Sequence, residues 1–414
     1  MSARVSDYVS MQRLWNRHEA LARIGATAAG GVNRQALSAE DIDACRLLID
    51  WGKSLGMQPS RDVAGNVFLR LAGRDDRAAP VLSGSHLDSQ PSGGKYDGAY
   101  GVLAALEACE AIIESGCQPQ RAIEVVAWMN EEGSRFAPGM MGSSVFAGAR
   151  TLDDIGSIQD RDGVTVASAL QTAHDAFADI PTHPLCTPVH SYVEAHIEQG
   201  PLLERLGTTI GVVSGIQGKR TFKVHIDGEA AHAGTSLRRE RKDALLAAVR
   251  IIDALTQRMH DDQDLVKFTV GRLDVHPNAP SVVAKSVEFS IDLRHPDSEA
   301  LTTLGDAVAQ ICQAHAGPCS VKVDELSNAM SLEFPQSMRQ RIRSAAETIG
   351  VSWMDMLSAA GHDARYLHPI CPSAMLFIPC HQGITHNEAE SITAADAAAG
   401  ARVLSEVLLS LADS

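Results

Sequence analysis

Positive charge is scarce in this sequence. Its 414 residues carry 36 Lys and Arg against 51 Asp and Glu, which gives a formal net charge of −15. Because nucleic-acid binding needs a basic face, this balance argues against DNA or RNA as a partner. The sequence also has no run of about 18 apolar residues and no apolar h-region near its start. We therefore expect no membrane span, and we predict a cytoplasmic protein.

Cysteine and nucleotide motifs are also missing. None of the eight cysteines forms a C-x-x-C pair, which excludes the usual zinc-knuckle and thioredoxin-like spacings. Neither the dinucleotide fingerprint G-x-G-x-x-G nor the phosphate loop G-x-x-x-x-G-K-[ST] occurs. What remains is a composition of 45% hydrophobic and 21% charged residues, which is typical of a globular protein that buries a large core.

Hydrophobic periodicity predicts one domain interrupted by another. Buried strands alternate with helices before residue 214 and after residue 329, which predicts a layered α/β domain with a mixed sheet at residues 1–213 and 330–414. Residues 214–329 follow the order βαββαβ, typical of a smaller two-layer α+β domain. In the first domain, the segment SYVEAHIEQG alternates so that Glu194 and His196 share a polar face, which predicts a half-exposed strand.

The segment GSHLDSQPSGGKYDG, Gly84–Gly98, follows a predicted strand and contains several candidate metal ligands. Ligands of open α/β sheets bind beyond the carboxyl ends of strands, and imidazole and carboxylate groups are suitable ligands for Zn²⁺ and similar ions. His86 and Asp97 could meet there, with Asp97 bridging two metals. Asp88 could accept the hydrogen bond that orients the His86 imidazole. From this segment alone, a polar surface loop with one capping aspartate is an equally good interpretation.

The segment NEEG places two carboxylates, Glu131 and Glu132, directly after another buried strand. Neighbouring side chains on extended or turning backbone point in different directions, so one carboxylate could bind metal while the other faces the substrate. The second could take the proton from a metal-bound water as a general base. A solvated acidic turn is the alternative.

Three further histidines and one arginine are weak candidates when each is taken alone. His196, His232 and His386 could each be an ordinary hydrogen-bonded or solvated histidine. Arg294 ends an alternating strand, where an exposed arginine is common. Its planar guanidinium is nevertheless the best side chain for a two-point contact with a substrate carboxylate.

Taken together, several segments resemble one family in the same order along nearly the whole chain. They are GSHLDSQPSGGKYDGAYGVLAALE, NEEGSRFAPGMMGS, HIEQGPLLE, HAGTS, NAPSVVAKSVEFSIDLRHPD, AAGHDA and GITHNEAE. The sequence resembles the amidase/hydantoinase/carbamoylase family of dinuclear-metal amidohydrolases. That family includes N-carbamoyl-L-amino-acid hydrolases, β-ureidopropionases and allantoate amidohydrolases, and its fold is shared with dinuclear zinc exopeptidases.

The resemblance implies two divalent metal ions per subunit, zinc or alternatively manganese or cobalt. His86, Asp97 and His196 would hold one ion. Asp97, Glu132 and His386 would hold the other, with Asp97 as the bridge. A hydroxide held between the ions would be the nucleophile, and Glu131 would be the general base.

The resemblance also implies how a small-molecule carboxylate substrate is held. The inserted domain would act as a lid and dimerisation domain of a homodimer, and His232 would reach across the dimer to stabilise the oxyanion. The implied substrate-binding residues are Gln199, Asn278, Arg294 and Gly361, with Arg294 on the carboxylate.

The predicted function is hydrolysis of a linear C–N ureido or amide bond in an N-carbamoyl amino acid or related ureido acid. Two alternatives on the same scaffold are an allantoate amidohydrolase and an N-acyl-amino-acid deacylase or peptidase. A non-catalytic binding protein that kept the fold is an alternative from another class. Presence of Glu131 together with all five implied metal ligands argues against the last, because a silent protein would tolerate their loss.

Overall fold

The computed structural model describes residues 3–414. Its α-helices are α1 (Met11–Leu21), α2 (Ala39–Ser54), α3 (Ala99–Ser115), α4 (Met141–Phe146), α5 (Leu152–Gly156), α6 (Val166–Ala176), α7 (Leu202–Leu206), α8 (Ala244–Arg258), α9 (Ser298–His315), α10 (Gln336–Ile349), α11 (Ala364–Leu367) and α12 (Ala394–Ala412). Its strands are β1 (Gln58–Arg61), β2 (Val67–Leu71), β3 (Val81–His86), β4 (Ile123–Trp128), β5 (Ser191–Ile197), β6 (Ile210–Ile216), β7 (Gly218–Asp227), β8 (Ala231–His232), β9 (Lys267–Thr269), β10 (Leu273–His276), β11 (Val282–Val283), β12 (Ser286–His295), β13 (Ser320–Ala329), β14 (Leu332–Glu333), β15 (Trp353–Ser358) and β16 (Ser373–Ile378). Among these described residues, no helix combines the length and apolar character needed to cross a membrane.

The chain divides into two compact units. The first comprises residues up to 215 together with 334–414, and the second comprises residues 216–333. The sequence placed the corresponding boundaries at 213/214 and 329/330. The predicted fold class, a layered α/β domain with a mixed sheet interrupted by a smaller α+β domain, is confirmed.

The first unit is built on a mixed sheet with strand order β1-β2-β4-β3-β5-β16-β6, in which β15 also pairs with β6. The four central strands β4, β3, β5 and β16 run parallel to one another, while β2 and β6 join them antiparallel. Central strands of a parallel sheet are covered on both faces, so the side chains on both faces of each strand are expected to be buried. Every residue of β3, β4, β5 and β16 is buried.

This burial corrects one prediction from the sequence. The segment SYVEAHIEQG does form a strand, but both faces of β5 are buried, including Glu194 and His196. The alternation of polar and apolar side chains resembles that of a half-exposed strand. Here the polar side chains are buried because they have partners: Glu194 accepts hydrogen bonds from the Ser85 hydroxyl and from the backbone N–H of Ala364.

Two long helices cover one face of this sheet. Helix α3 packs against β3 and β5 and is covered in turn by α12. The sequence AYGVLAALEACEAIIES is apolar around most of the helix, which is the pattern of a fully enclosed helix. Because α3 begins at Ala99, directly after the glycine-rich segment, its packing anchors the end of that segment at the carboxyl edge of the sheet.

The second unit has an antiparallel sheet of order β10-β12-β7-β13, in which β9 also pairs with β12. Residues along β7 and β12 alternate between buried and partly exposed, and the buried side chains form a core with α8 and α9. Short strands β8 and β11 form a separate antiparallel pair. They and β10 add to the βαββαβ order expected from the sequence.

Candidate metal centre

The carboxyl ends of the central strands bring the candidate ligands together. Strand β3 ends at His86, and His196 is the second-last residue of β5. Glu131 and Glu132 come shortly after the end of β4, and His386 follows β16 after a short loop. Because these four strands are parallel, their carboxyl ends lie at one edge of the sheet.

The first group of converging ligand atoms comprises His86, Asp97 and His196, all buried, with one atom from each lying within 4.8 Å of the others. Asp97 Oδ1 lies 3.2 Å from His196 Nε2 and 3.9 Å from His86 Nε2. Each ring has its Nδ1 turned away, 2.9 Å from a backbone carbonyl, that of Asp88 or Ile197. A carbonyl on Nδ1 favours the tautomer that places the lone pair on Nε2, the atom that would bind a metal. In His196 this lone pair accepts the backbone N–H of Gly98 at 3.3 Å.

The second group comprises Asp97, Glu132 and His386, again within 4.8 Å. His386 Nε2 lies 3.2 Å from Asp97 Oδ2 and 3.3 Å from Glu132 Oε2. Asp97 therefore directs one carboxylate oxygen to each group. The His386 side chain is 48% exposed, so this group lies on the solvent side of the centre.

The chemistry of these groups fits two divalent cations. Imidazole and carboxylate ligands suit Zn²⁺, Mn²⁺ or Co²⁺. Burial lowers the pKa of His86 to about 4, so this ring is neutral, as metal binding requires. The hydrogen bond with Asp97 raises the pKa of His386 to about 9 and, against the effect of burial, raises that of His196 to about 9, so a cation would displace a proton from each of these two rings. Burial and the neighbouring Asp97 charge raise the pKa of Glu132 to about 7, and two cations would relieve this crowding of carboxylates.

Asp88 is buried beside the centre, and its backbone carbonyl, rather than its carboxylate, faces the His86 imidazole. The atom facing His86 Nδ1 at 2.9 Å is the backbone carbonyl of Asp88, while the carboxylate Oδ1 is 3.6 Å away. The carboxylate accepts the backbone N–H groups of Glu131 and Glu132, at 3.1 and 3.2 Å. It therefore fixes the turn that carries both glutamates.

Glu131 lies beside the first group, next to His86. Its Oε2 is 3.5 Å from His86 Nε2, and its side chain is 11% exposed. Burial, followed by the charges of Asp363 and the nearby acidic side chains, raises the pKa of Glu131 well above its usual value. Such a carboxyl group has a higher proton affinity than an exposed glutamate, as a general base and acid requires.

Several polar residues at the centre were not assigned roles from the sequence. Gln90 donates to Glu132 Oε2 at 2.7 Å, and Ser143 donates to the buried Asp363. Thr385 and Glu390 both contact the segment that contains Asp97, by its side chain or its backbone. Asp363, Thr385 and Glu390 fall inside the motifs AAGHDA and GITHNEAE, but nothing in the spacing of those motifs indicates what their side chains contact.

The predicted substrate residues divide between the two units. In the first unit, Gln199 Nε2 donates to Asp97 Oδ2 at 2.9 Å, and Gln199 Oε1 is buried without a hydrogen-bond partner among the described residues. Gly361 lies exposed between β15 and α11. A buried, unused acceptor next to Asp97 is suited to receive an N–H from a bound molecule.

In the second unit, His232 is exposed on β8, and its Nδ1 accepts the backbone N–H groups of Gly234 and Thr235 at 2.9 and 3.2 Å. In the neutral ring the proton is therefore on Nε2, which is a hydrogen-bond donor. Asn278 is exposed and has a positive φ of 55°. Arg294 makes a two-point contact with Asp292 on its own strand, at 2.8 and 3.2 Å.

The comparison with protein families agrees with this fold and these two ligand groups. Residues 82–410 match the model of peptidase family M20/M25/M40. The chain belongs to this family. More particularly, it is 36% identical over 409 residues to an N-carbamoyl-L-amino-acid amidohydrolase of Rhizobium meliloti, covering 98% of this chain and 97% of that protein. It is 37% identical over 404 residues to an allantoate amidohydrolase of Bacillus subtilis strain 168, covering 95% and 96%.

A solved structure gives the same result. The crystal structure of an amidase of the hydantoinase/carbamoylase family from Burkholderia multivorans superposes with a TM-score of 0.87 at 42% identity, covering 98% of each chain. The family resemblance predicted from the sequence motifs is confirmed. The chain is a hydrolase of carbon–nitrogen bonds.

Proposed function

We propose that this protein is a divalent-metal-dependent amidohydrolase that cleaves the linear C–N ureido bond of an N-carbamoyl amino acid or a related ureido acid. The observation that carries the proposal is the position of Asp97, which directs one oxygen to each of two ligand groups beside Glu131. Similarity to N-carbamoyl-L-amino-acid and allantoate amidohydrolases over almost the whole chain supports the choice of bond.

In this proposal the two ligand groups each hold one ion. His86, Asp97 and His196 would bind the first, and Asp97, Glu132 and His386 the second. Zinc is the first choice, with manganese or cobalt as alternatives. When bound, such ions lower the pKa of a water molecule and polarise the scissile carbonyl. Metal identity is therefore a question for elemental analysis.

Glu131 takes the proton from the attacking water and then delivers it to the leaving nitrogen. For an N-carbamoyl amino acid, one water adds at the ureido carbon and the bond to the amino-acid nitrogen breaks, which releases the amino acid and carbamate. The remaining C–N bond of the carbamate then breaks to give carbon dioxide and ammonia. His232, whose proton is on Nε2, donates to the developing oxyanion. In this scheme His232 comes from the neighbouring subunit, and the second unit is the lid and dimerisation domain of a homodimer.

The substrate is held by groups of matched chemistry. Arg294 binds the carboxylate in two-point fashion, which requires it to exchange Asp292 for the substrate. Gln199 Oε1 accepts an N–H of the ureido group, and Asn278 and the backbone at Gly361 complete the contacts. A small-molecule carboxylate is thus the expected partner, and a cytoplasmic location stays a prediction.

Allantoate is the second candidate substrate, favoured by the Bacillus subtilis relative. It is itself a ureido acid, so the same residues would act on it. A panel of N-carbamoyl amino acids, ureidopropionate, allantoate, N-acyl amino acids and dipeptides, assayed for ammonia and amino-acid release, separates these candidates. Turnover of dipeptides alone would favour a peptidase, and no turnover of any member would favour a binding protein.

The variant Glu131→Gln tests the catalytic assignment. Gln keeps the size of Glu131 but cannot accept the proton, so we expect a loss of kcat of about 10²-fold or more with two metals still bound. The measurements are turnover on the best member of the panel and metal content by elemental analysis. Undiminished turnover in the variant would refute Glu131 as the base.

A further inference from the structure

We infer that Glu390 is a positioning residue of the metal centre, which holds the backbone of Asp97 so that its two carboxylate oxygens reach both ligand groups. The inference rests on the proposed role of Asp97 as the bridging ligand. The Glu390 carboxylate supplies no ligand atom to either candidate metal group, and it acts through the backbone of Asp97 and through its neighbours.

Direct contacts carry the first step of the argument. Glu390 is 4% exposed, and its Oε1 accepts the backbone N–H groups of Tyr96 and Asp97 at 2.8 and 3.1 Å. These two amides belong to the last turn of the glycine-rich segment before α3. Their donation to a single oxygen fixes the backbone of Asp97, and hence the direction in which its side chain leaves the backbone.

Residues 385–390 supply one candidate ligand, His386, and two residues that hold Asp97, Thr385 and Glu390. Thr385 Oγ1 lies 3.1 Å from Asp97 Oδ2 and 3.1 Å from Glu390 Oε2, and His386 follows directly in the chain. Residues 385–390 therefore contribute the imidazole of the second group and also hold the carboxylate that this group shares. Because Thr385 and Glu390 hold Asp97 and lie in the same segment as His386, this segment fixes the distance between His386 and Asp97.

Gly94 provides an independent observation. A Cβ at this position would lie 1.9 Å from the carboxyl carbon of Glu390 and 2.0 Å from its Oε1. The space beside the glycine-rich segment is thus occupied by the Glu390 carboxylate, and a side chain at residue 94 would fit only if this carboxylate moved. The segment and the carboxylate are complementary in shape as well as in hydrogen bonding.

Charge pairing does not explain the burial of Glu390. Among residues 3–414, no Lys or Arg forms a salt bridge with it, although a buried carboxylate usually has a cationic partner. Its partners are two backbone N–H groups and one hydroxyl, all belonging to residues at or next to the metal centre. A role in positioning those residues accounts for the burial of the Glu390 carboxylate, which would otherwise destabilise the fold.

The test compares Zn²⁺ affinity in variants of the full-length protein, measured by competition with a chromogenic chelator without any substrate. Glu390→Leu removes both acceptors at similar size, and we expect Zn²⁺ binding about 10- to 100-fold weaker with faster backbone exchange in the peptide containing Tyr96 and Asp97. Glu390→Gln keeps one acceptor oxygen for the two amides and is expected to bind within about threefold of wild type. Glu388→Leu, a change in the same segment away from Asp97, is the matched control.

A second pair of variants keeps the test decisive if Glu390→Leu folds poorly. Gly94→Ala is expected to weaken Zn²⁺ binding in the wild type, because its methyl group displaces the Glu390 carboxylate. In a Glu390→Ala background the same change is expected to cost nothing further, since the carboxylate is gone. Additive losses, or Zn²⁺ binding in Glu390→Leu as tight as in the wild type, would overturn the inference.

These outcomes are distinguishable from failure of the proposed function. If the wild type itself does not bind Zn²⁺ at two sites per chain, the proposed metal centre is wrong. If the wild type binds two ions and the Gln variant loses affinity as severely as the Leu variant, the metal centre stands and the hydrogen-bonding role of Glu390 is wrong.

Discussion

Replacing Asp88 with alanine removes the carboxylate that accepts the backbone N–H groups of Glu131 and Glu132. Two donors then lose their partner. A buried donor without a partner costs about 1–3 kcal/mol, and because these two amides are only partly buried, the lower end applies. We expect the free energy of unfolding of the metal-free protein to fall by about 2 kcal/mol.

Asp88→Ala should also affect the two glutamates without affecting His86. The His86 ring is oriented by the backbone carbonyl of Asp88, and this carbonyl survives the substitution. Affinity for the first metal is therefore expected to stay near the wild-type value, whereas kcat falls because the turn carrying Glu131 loosens. Asp88→Asn keeps one acceptor oxygen and is expected to lose about half as much stability, about 1 kcal/mol.

Urea unfolding of the metal-free protein, metal titration and steady-state kinetics measure the three quantities. An unchanged free energy of unfolding in Asp88→Ala would show that the carboxylate does not stabilise the turn that carries Glu131 and Glu132. A fall in metal affinity at the first group as large as in His86→Ala would show that the carboxylate is the group that orients the imidazole.

Three further predictions concern the glycine before α3, the metals and a pH-dependent ion pair. Gly98 has φ +65°, and a Cβ there would lie 2.4 Å from the His86 ring, so Gly98→Ala should weaken Zn²⁺ binding about tenfold; unchanged affinity in chelator competition contradicts this. Chelation should lower the free energy of unfolding by about 2.7 kcal/mol for each ion present at 100 times its Kd, and an unshifted thermal transition would argue against bound metal. Burial lowers the pKa of His183, but the hydrogen bond with Glu124 outweighs this effect, so the pKa is raised above its usual value of 6.5. Their contribution to stability is therefore present below about pH 6.5 and is lost as the pH rises through the folded pKa; His183→Gln should remove this slope from urea unfolding measured between about pH 6 and 8, and an unaltered slope would refute the pairing.

Local signals in the sequence predict the elements whose causes are local. Ser38 followed by Glu40 and Asp41 predicts the start of a helix, and α2 begins at Ala39 with the Ser38 hydroxyl accepting the Asp41 N–H. The end of β3 was harder to predict. Its last residues, Ser83–His86, are polar or glycine; all four are extended by pairing with β4, and Ser83 also pairs with β5.

The sequence predicted which residues could form the centre better than it predicted how they contact one another. The motifs brought His86, Asp97, His196 and the other candidate ligands into one hypothesis, and the parallel strands do bring their atoms together. The sequence could not say that a carbonyl rather than the carboxylate of Asp88 faces the imidazole, since both belong to one residue. The role of Glu390 has no local signal, because the backbone N–H groups that it accepts, those of Tyr96 and Asp97, are almost three hundred residues away.

Strand β16 lies between β5 and β6 in the first unit's sheet, although more than a hundred residues of the second unit separate it from them in the chain. During synthesis the second unit therefore emerges from the ribosome complete while its host still lacks a middle strand and His386. A chain that stops between β6 and β16 carries four of the five candidate ligands, His86, Asp97, Glu132 and His196, but lacks the strand that lies between β5 and β6. Such a chain exposes the unpaired edge of β5, and an unpaired strand edge is a template for aggregation.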